Sequence, residues 1–263
     1  MENIRPAAVA GMFYPDDPQQ LRRMVEKYLS VDSGKGEIPK AIIAPHAGYI
    51  YSGPVAATAY GRLKGAAERI SRVVLIGPAH RVYFKGIAVP SCDKFATPLG
   101  EVSLDQAAIK QISQLPDVQV LDEAHVYEHS LEVHLPFLQT LLKSFRLVPL
   151  LAGDTTGEVV EQVLDALWGG DETLIVISSD LSHYHDYATA QAMDSATSKA
   201  IENLAPQKIG EEDACGRVPI AGLLGAARRR GLHVKTVDLR NSGDTAGPRD
   251  RVVGYGAYVV QAN

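Results

Sequence analysis

A chain of 263 residues with 46% hydrophobic and 22% charged side chains can bury a large core and is within range for one α/β domain. Its net charge of -5, with no basic cluster larger than Arg228-Arg229-Arg230, argues against nucleic acid as a partner, because phosphate contacts need a positive face. No apolar run is long enough to span a bilayer, and Met1-Glu2-Asn3-Ile4-Arg5-Pro6 lacks the basic-then-apolar pattern of a secretory signal, so a cytoplasmic protein with no membrane attachment is expected.

Residues 1–15 read as irregular, with the aromatic segment Gly11–Pro15 packing down. Asp16-Asp17-Pro18 suits a helix start, and 19–30 carries Leu21, Met24, Val25, Tyr28 and Leu29 at helical spacing. A polar loop is expected over 31–39. The run 41–44 is a short core strand, 52–62 a small-residue helix packed on the sheet, and 73–76 a second strand. Segments 85–90 and 99–104 flank the turn-rich 93–98 in a hairpin-like excursion with Cys92 inside or beside it. A helix over 104–115 and a strand over 118–121 follow. Helical spacing runs through 128–143, with a kink or two segments expected at Pro136. The rest alternates: strand 145–151, helix 158–167, strand 173–178, helix 187–204, a helix within 211–230 after Cys215, strand 233–239, a polar turn at 241–244 and strand 252–260.

This alternation predicts one domain over 1–263. The expected fold is α/β, a three-layer α/β/α arrangement around a mixed, largely parallel sheet. Crossovers before residue 80 predict parallel strands, while 85–104 and the C-terminal strand add antiparallel pairing.

Three apolar strands each deliver a histidine just past their ends: Ala41–Ala44 leads to Pro45-His46, Val73–Ile76 to Gly77-Pro78-Ala79-His80, and Thr173–Ser178 to Ser179-Asp180-Leu181-Ser182-His183. Loops past the carboxyl ends of strands hold the chemistry in an open α/β sheet, so these residues predict one polar site, read as a metal site. Taken alone, His46 or His80 reads equally as a hydrogen-bonded ring in a pocket wall. Asp180 is a ligand, an orienting group or a proton acceptor, with helix capping by Asp180 and Ser182 as the plainer alternative. A helical turn would bring His183 to its side as an acid–base group. His185 faces elsewhere.

With only Cys92 and Cys215 present, disulfides do not define the fold and free thiols are expected. Cys215, before Gly216-Arg217 at a helix start, is expected to favour its thiolate and so to be a nucleophile or a metal ligand; a buried small residue is the other reading. Glu128-His129-Ser130-Leu131-Glu132-Val133-His134 matches no zinc-protease spacing and reads as a second shell or substrate contact, with a solvated helix face open for His134. His125 is expected to line the same opening. Tyr14, Tyr49 and Tyr51 are candidates for an aromatic wall near His46, and Ser242 and Asp244 lie past another strand end.

Together these motifs are recognisable. Pro45-His46-Ala47-Gly48-Tyr49 with Tyr51-Ser52-Gly53, Gly77-Pro78-Ala79-His80, Glu128–Pro136, Ser178–His183 and Cys215-Gly216-Arg217 run in order over nearly the whole chain. The chain resembles the Memo family, protein B of the microbial AMMECR1-like/Memo/radical-SAM gene association. The resemblance implies a fold similar to class III extradiol dioxygenases, whose iron is held by two His and one Glu. It implies His46 and His80 as imidazole ligands, Cys215 in place of that Glu, and Asp180 and His183 lining the pocket, with His183 as acid–base group. It implies an oxidoreductase using Fe(II) or Cu(I/II), with Zn as an alternative because thiolate softens the ligand set. A zinc-dependent hydrolase, and a non-catalytic protein binding a small molecule, a peptide, or AMMECR1-like and radical-SAM proteins, are the competing functions.

Overall fold

The structure, a computed structural model, describes residues 3–31 and 37–262. Met1 and Glu2 of the N-terminal reading, and 32–36 of the expected loop, lie outside the described residues.

Strand β1 (Ile4–Arg5) precedes helix α1 (Pro18–Leu29), which Asp17 caps by accepting from the Gln20 N–H while Leu21, Val25 and Leu29 turn inward. Strand β2 (Ala41–Ala44) is wholly buried. Helix α2 (Tyr49–Gly61) starts three residues before the expected Ser52, so Tyr49 and Tyr51 stand on its first turn. Strand β3 (Arg72–Pro78) carries the chain to β4 (Ile87–Val89). The hairpin is β5 (Lys94–Thr97) with β6 (Gly100–Ser103). Most of the stretch expected to be the turn is therefore a strand. The chain reverses at Pro98-Leu99, with Gly100 at φ +117° supplying a conformation other residues rarely adopt. The hairpin joins β1 in a separate three-stranded sheet.

Helix α3 (Gln106–Ile112), strand β7 (Val118–Val120) and a short helix α4 (Asp122–Val126) follow. Residues 128–131 are non-helical with a turn at 130–131, 132–134 form one 3-10 turn, and α5 (Leu135–Leu141) opens with Pro136 in its first turn. There is no kinked helix, because proline at a helix start gives up an N–H that has no partner there anyway. Next come β8 (Arg146–Ala152), α6 (Gly157–Leu167) and β9 (Thr173–Ser178). A three-residue strand, β10 (His183–His185), leads into α7 (Tyr187–Glu202), then α8 (Arg217–Arg229). The chain ends with β11 (His233–Asn241), a single-turn helix α9 (Ser242–Thr245) and β12 (Val252–Gln261).

The main sheet runs β10-β12-β2-β9-β3-β8-β4-β7, with β11 also paired to β12. Its centre, β2-β9-β3-β8, is parallel; β12 on one flank and β4 on the other pair antiparallel. Helix α2 packs on β2 and β12 beside α1 and α5, and α8 packs on β3 and β9 beside α6, giving the expected mixed α/β layering. Burial on both faces explains why β2, β3 and β9 read as unbroken apolar runs rather than alternating ones. Among the described residues no helix is long and apolar enough to cross a membrane.

Candidate metal centre

The three histidine-bearing strand ends are neighbours: β9 lies between β2 and β3, so His46 and His80 flank the end of β9. Cys215 reaches the same point because Gly216 lets the start of α8 approach the sheet; a Cβ there would stand 2.6 Å from the Ser178 carbonyl and from Ser179 Cβ. The ligand atoms of His46, His80 and Cys215 lie within 4.8 Å of one another. Cys215 Sγ is 3.4 Å from His46 Nε2.

His46 is buried. Its backbone N–H donates to Asp180 Oδ1 at 2.7 Å, and its Nδ1 lies 2.6 Å from Ser178 Oγ. Burial, with His80 and other rings nearby, holds it well below the usual histidine range, so the ring is neutral. His80 is more open. Its backbone N–H donates to Glu128 Oε2 at 2.6 Å and its Nδ1 to Oε1 at 2.9 Å, leaving Nε2 with the lone pair. Burial alone would raise Glu128, but the His80 contacts and backbone N–H groups outweigh it and hold the carboxyl down to about 2. The ligand atoms of Glu128, His129 and His80 also lie within 4.8 Å of one another, yet this carboxylate is already committed to four N–H donors: two from His80 and the backbone groups of His129 and Ser130.

Cys215 corrects the thiolate expectation. Burial, then the Asp180 carboxylate, pushes its thiol up to about 12. Arg217 does not help, because its guanidinium pairs with Glu211 at 2.8 Å. The sulfur accepts the Asp180 N–H at 3.3 Å. Burial raises Asp180 to about 7 and lowers His183, whose ring is near enough to bear on His46. No helical turn joins Asp180 to His183, where the short strand β10 begins, and α7 is capped by Asp186 rather than Asp180 or Ser182.

Other expected site residues go elsewhere. Tyr14 donates to Glu132 Oε1 at 2.6 Å and Tyr49 to the Val133 carbonyl at 2.6 Å. With Tyr51 they line a separate hollow. Phe13 packs on His129 at 4.7 Å, and His129 in turn stacks on His80 at 4.8 Å. His129 is lowered to about 4 by burial. His134 is buried, not on a solvated face. His125 turns to the Ala88 carbonyl at 3.2 Å. Asp244 is occupied by the Asn241 capping box and the Tyr187 hydroxyl. The sequence reading missed Ser178, Tyr60 and Tyr255, whose phenol is raised by burial and then by the nearby Asp180 carboxylate. Only Ser178, a hydroxyl closing an apolar strand, carried a local signal.

A cleft of about 540 Å³ opens beside the cluster, lined by His80 and Cys215 together with Arg81, Tyr83, Arg217 and Pro219. Fold and site together define a mixed α/β protein with a candidate two-histidine, one-cysteine metal centre at the carboxyl edge of its parallel strands. The chain belongs to the Memo-like protein family, whose model matches residues 5–259. It is 36% identical over 263 residues to a MEMO1 family protein of Aquifex aeolicus, covering 96% of this chain and 97% of that one. It is 37% identical over 281 residues to one of Ignicoccus hospitalis, covering 97% of each. The solved structure of the uncharacterized protein JW3007 from Escherichia coli K12 shares the fold, with a TM-score of 0.55 and 13% identity over 85% of this chain and all of that one.

Proposed function

We propose that this chain is a metal-dependent oxidoreductase, with iron or copper held by His46, His80 and Cys215 and O₂ as the oxidant of a small molecule. The observation that carries this is the convergence of two imidazoles and one thiol within 4.8 Å at the wall of a cleft. The donor set fits: two imidazoles with orienting partners and one sulfur suit iron, copper or zinc, and three protein ligands leave positions open. Iron or copper held by these three residues would supply one-electron chemistry, whereas zinc would not.

The chain's own residues do the rest. Cys215 would hold the ion as its thiolate, toward which the Asp180 N–H already donates at 3.3 Å. Asp180 holds the His46 loop through its backbone N–H. His183, kept neutral by burial, accepts a proton from the substrate. The cleft volume of about 540 Å³ lies in the range of small-molecule sites.

The test uses protein grown and purified without oxygen, analysed for metal by element-specific anomalous scattering, then loaded with Fe(II) or Cu(I) and followed for O₂ uptake. One ion per chain bonded to His46, His80 and Cys215, lost in Cys215→Ser, is expected. Folded protein that takes up none of Fe(II), Cu(I) or Zn(II) overturns the reading. Turnover with Zn(II) and no O₂ dependence would replace oxidation with hydrolysis.

A further inference from the structure

We infer that the stretch Glu128–His134 is the orienting element for both imidazoles of the site, and that Ser178, set by Ser130 and His134, locks His46 in the tautomer with its proton on Nδ1 and its Nε2 lone pair toward Cys215. The inference rests on the metal reading for its purpose, but not for its geometry. Ser178 Oγ has three partners: the Ser130 carbonyl at 2.6 Å, His46 Nδ1 at 2.6 Å and His134 Nε2 at 2.9 Å. A hydroxyl has one proton and two lone pairs. The carbonyl can only accept, so it takes the hydroxyl proton. Both rings must then donate. His46 carries its proton on Nδ1, and His134 carries its own on Nε2. The remaining nitrogen of His134, Nδ1, lies 2.9 Å from the Tyr60 hydroxyl, which donates to it. Every group is then satisfied.

The alternatives fail at named atoms. If the Ser178 proton turned to either ring, the Ser130 carbonyl would lose this donor in a site where Ser178, Ser130, His134 and Tyr60 are all buried, and a desolvated acceptor without a partner is costly. If His134 carried its proton on Nδ1, the phenolic proton of Tyr60 would lose its acceptor as well. Because both rings donate into one oxygen, the network does not alternate donor and acceptor from His46 to Tyr60. It holds a ring; it does not conduct a proton.

The same stretch serves the second ligand. Glu128 fixes His80 through Nδ1 at 2.9 Å, while Ser130, two residues on, and His134, six residues on, set the oxygen that fixes His46. Each ring thus presents Nε2. Gly77 makes the approach possible: a Cβ there would stand 3.0 Å from Ser130 Oγ and 3.1 Å from Ser178 Cβ. Ser130 Oγ itself donates to the Pro78 carbonyl at 2.8 Å, tying the stretch to the end of β3. Ser178, His134 and Glu128 are positioning residues under this assignment.

The test is two-bond ¹H–¹⁵N correlation NMR on metal-free, ¹⁵N-histidine-labelled protein at neutral pH, paired with Zn(II) affinity by chelator competition. The full-length protein should show His46 and His80 protonated on Nδ1 and His134 on Nε2. Ser178→Ala should remove the single tautomer of His46, leave that of His80, and weaken Zn(II) by about 10- to 100-fold. Tyr60→Phe, which keeps Ser178, should leave His46 on Nδ1 and His134 on Nε2, because Ser178 Oγ still requires both rings to donate; this variant carries the test if Ser178→Ala does not fold, and a change of either tautomer in it overturns the inference. His46 protonated on Nε2 in the parent protein, or a folded Ser178→Ala with unchanged tautomer and affinity, overturns the inference. The assigned tautomers in a protein that binds no ion would uphold it while overturning the metal reading.

Discussion

Cys215 stands just before the first turn of α8 with an arginine two residues on, yet its thiol is pushed up to about 12. Local charge loses to burial here because Arg217 turns to Glu211 and the neighbouring carboxyl of Asp180 opposes the thiolate. An ion must therefore displace the thiol proton. Metal affinity should rise about tenfold per pH unit from neutral to mildly alkaline pH, read by Zn(II) competition, and Cys215→Ser should flatten that slope. A pH-independent affinity would contradict sulfur ligation. Glu128 behaves in the opposite sense. Its carboxyl sits at about 2 against an ordinary 4.5, so its stabilising contribution is complete above the unfolded value and is lost as pH falls through the folded one. In urea unfolding, Glu128→Gln should be destabilised near neutrality and approach the parent as pH drops from about 5 toward 2. His46 and His80 were readable because each follows an apolar strand. Ser178 showed only a hydroxyl at a strand end. Tyr60 showed nothing, since its role depends on a ring seventy-four residues away.

At the scale of elements, periodicity located β2, β3, β8, β9, α1 and α6 to within a residue or two. It failed where neighbours outweighed pattern. The 128–143 run has helical spacing, but its first part is held as a turn by the Glu128 and Ser130 hydrogen bonds to the His80 loop and Pro78. The β5–β6 hairpin was displaced from its expected flanks because Ile87–Val89 found pairing partners in the main sheet. The close contact of α6 and α8 depends on small residues: a Cβ at Gly222 would stand 2.4 Å from Val160 Cγ1 and 2.9 Å from the Glu161 nitrogen. Helix propensity favours Gly222→Ala by about 1 kcal/mol, but overpacking costs typically about 1–3 kcal/mol. Gly222→Ala should therefore lower Tm by a few degrees without altering Zn(II) affinity. A raised Tm would show that the helices separate freely.

Across the whole molecule, the N-terminal segment and the site share one support. Glu132, fully buried, accepts from Arg5 Nη1 at 2.5 Å, from the Ala8 and Val9 N–H groups and from Tyr14, while Arg5 also donates to the His125 and Glu128 carbonyls. Residues 5–14 are thus fastened to the stretch that orients both rings. Breaking one side of a buried ion pair leaves a charge without compensation, a loss of about 3–5 kcal/mol. Glu132→Ala should lower the urea midpoint accordingly and, through the adjoining turn, weaken Zn(II) binding. A variant as stable as the parent would refute that role.

Residue order alone carries the strand–helix alternation, the buried strands and the three His-bearing strand ends, because unbroken apolar runs and chain breakers act locally. The family resemblance lay in the same short segments. Which strand ends become neighbours is a property of sheet order, and with it came the meeting of His46, His80 and Cys215. Protonation belongs to that level too: burial and through-space hydrogen bonds set the thiol of Cys215, the carboxyl of Asp180 and the tautomer of His46. Those effects arise between groups far apart along the chain, where no local pattern can encode them.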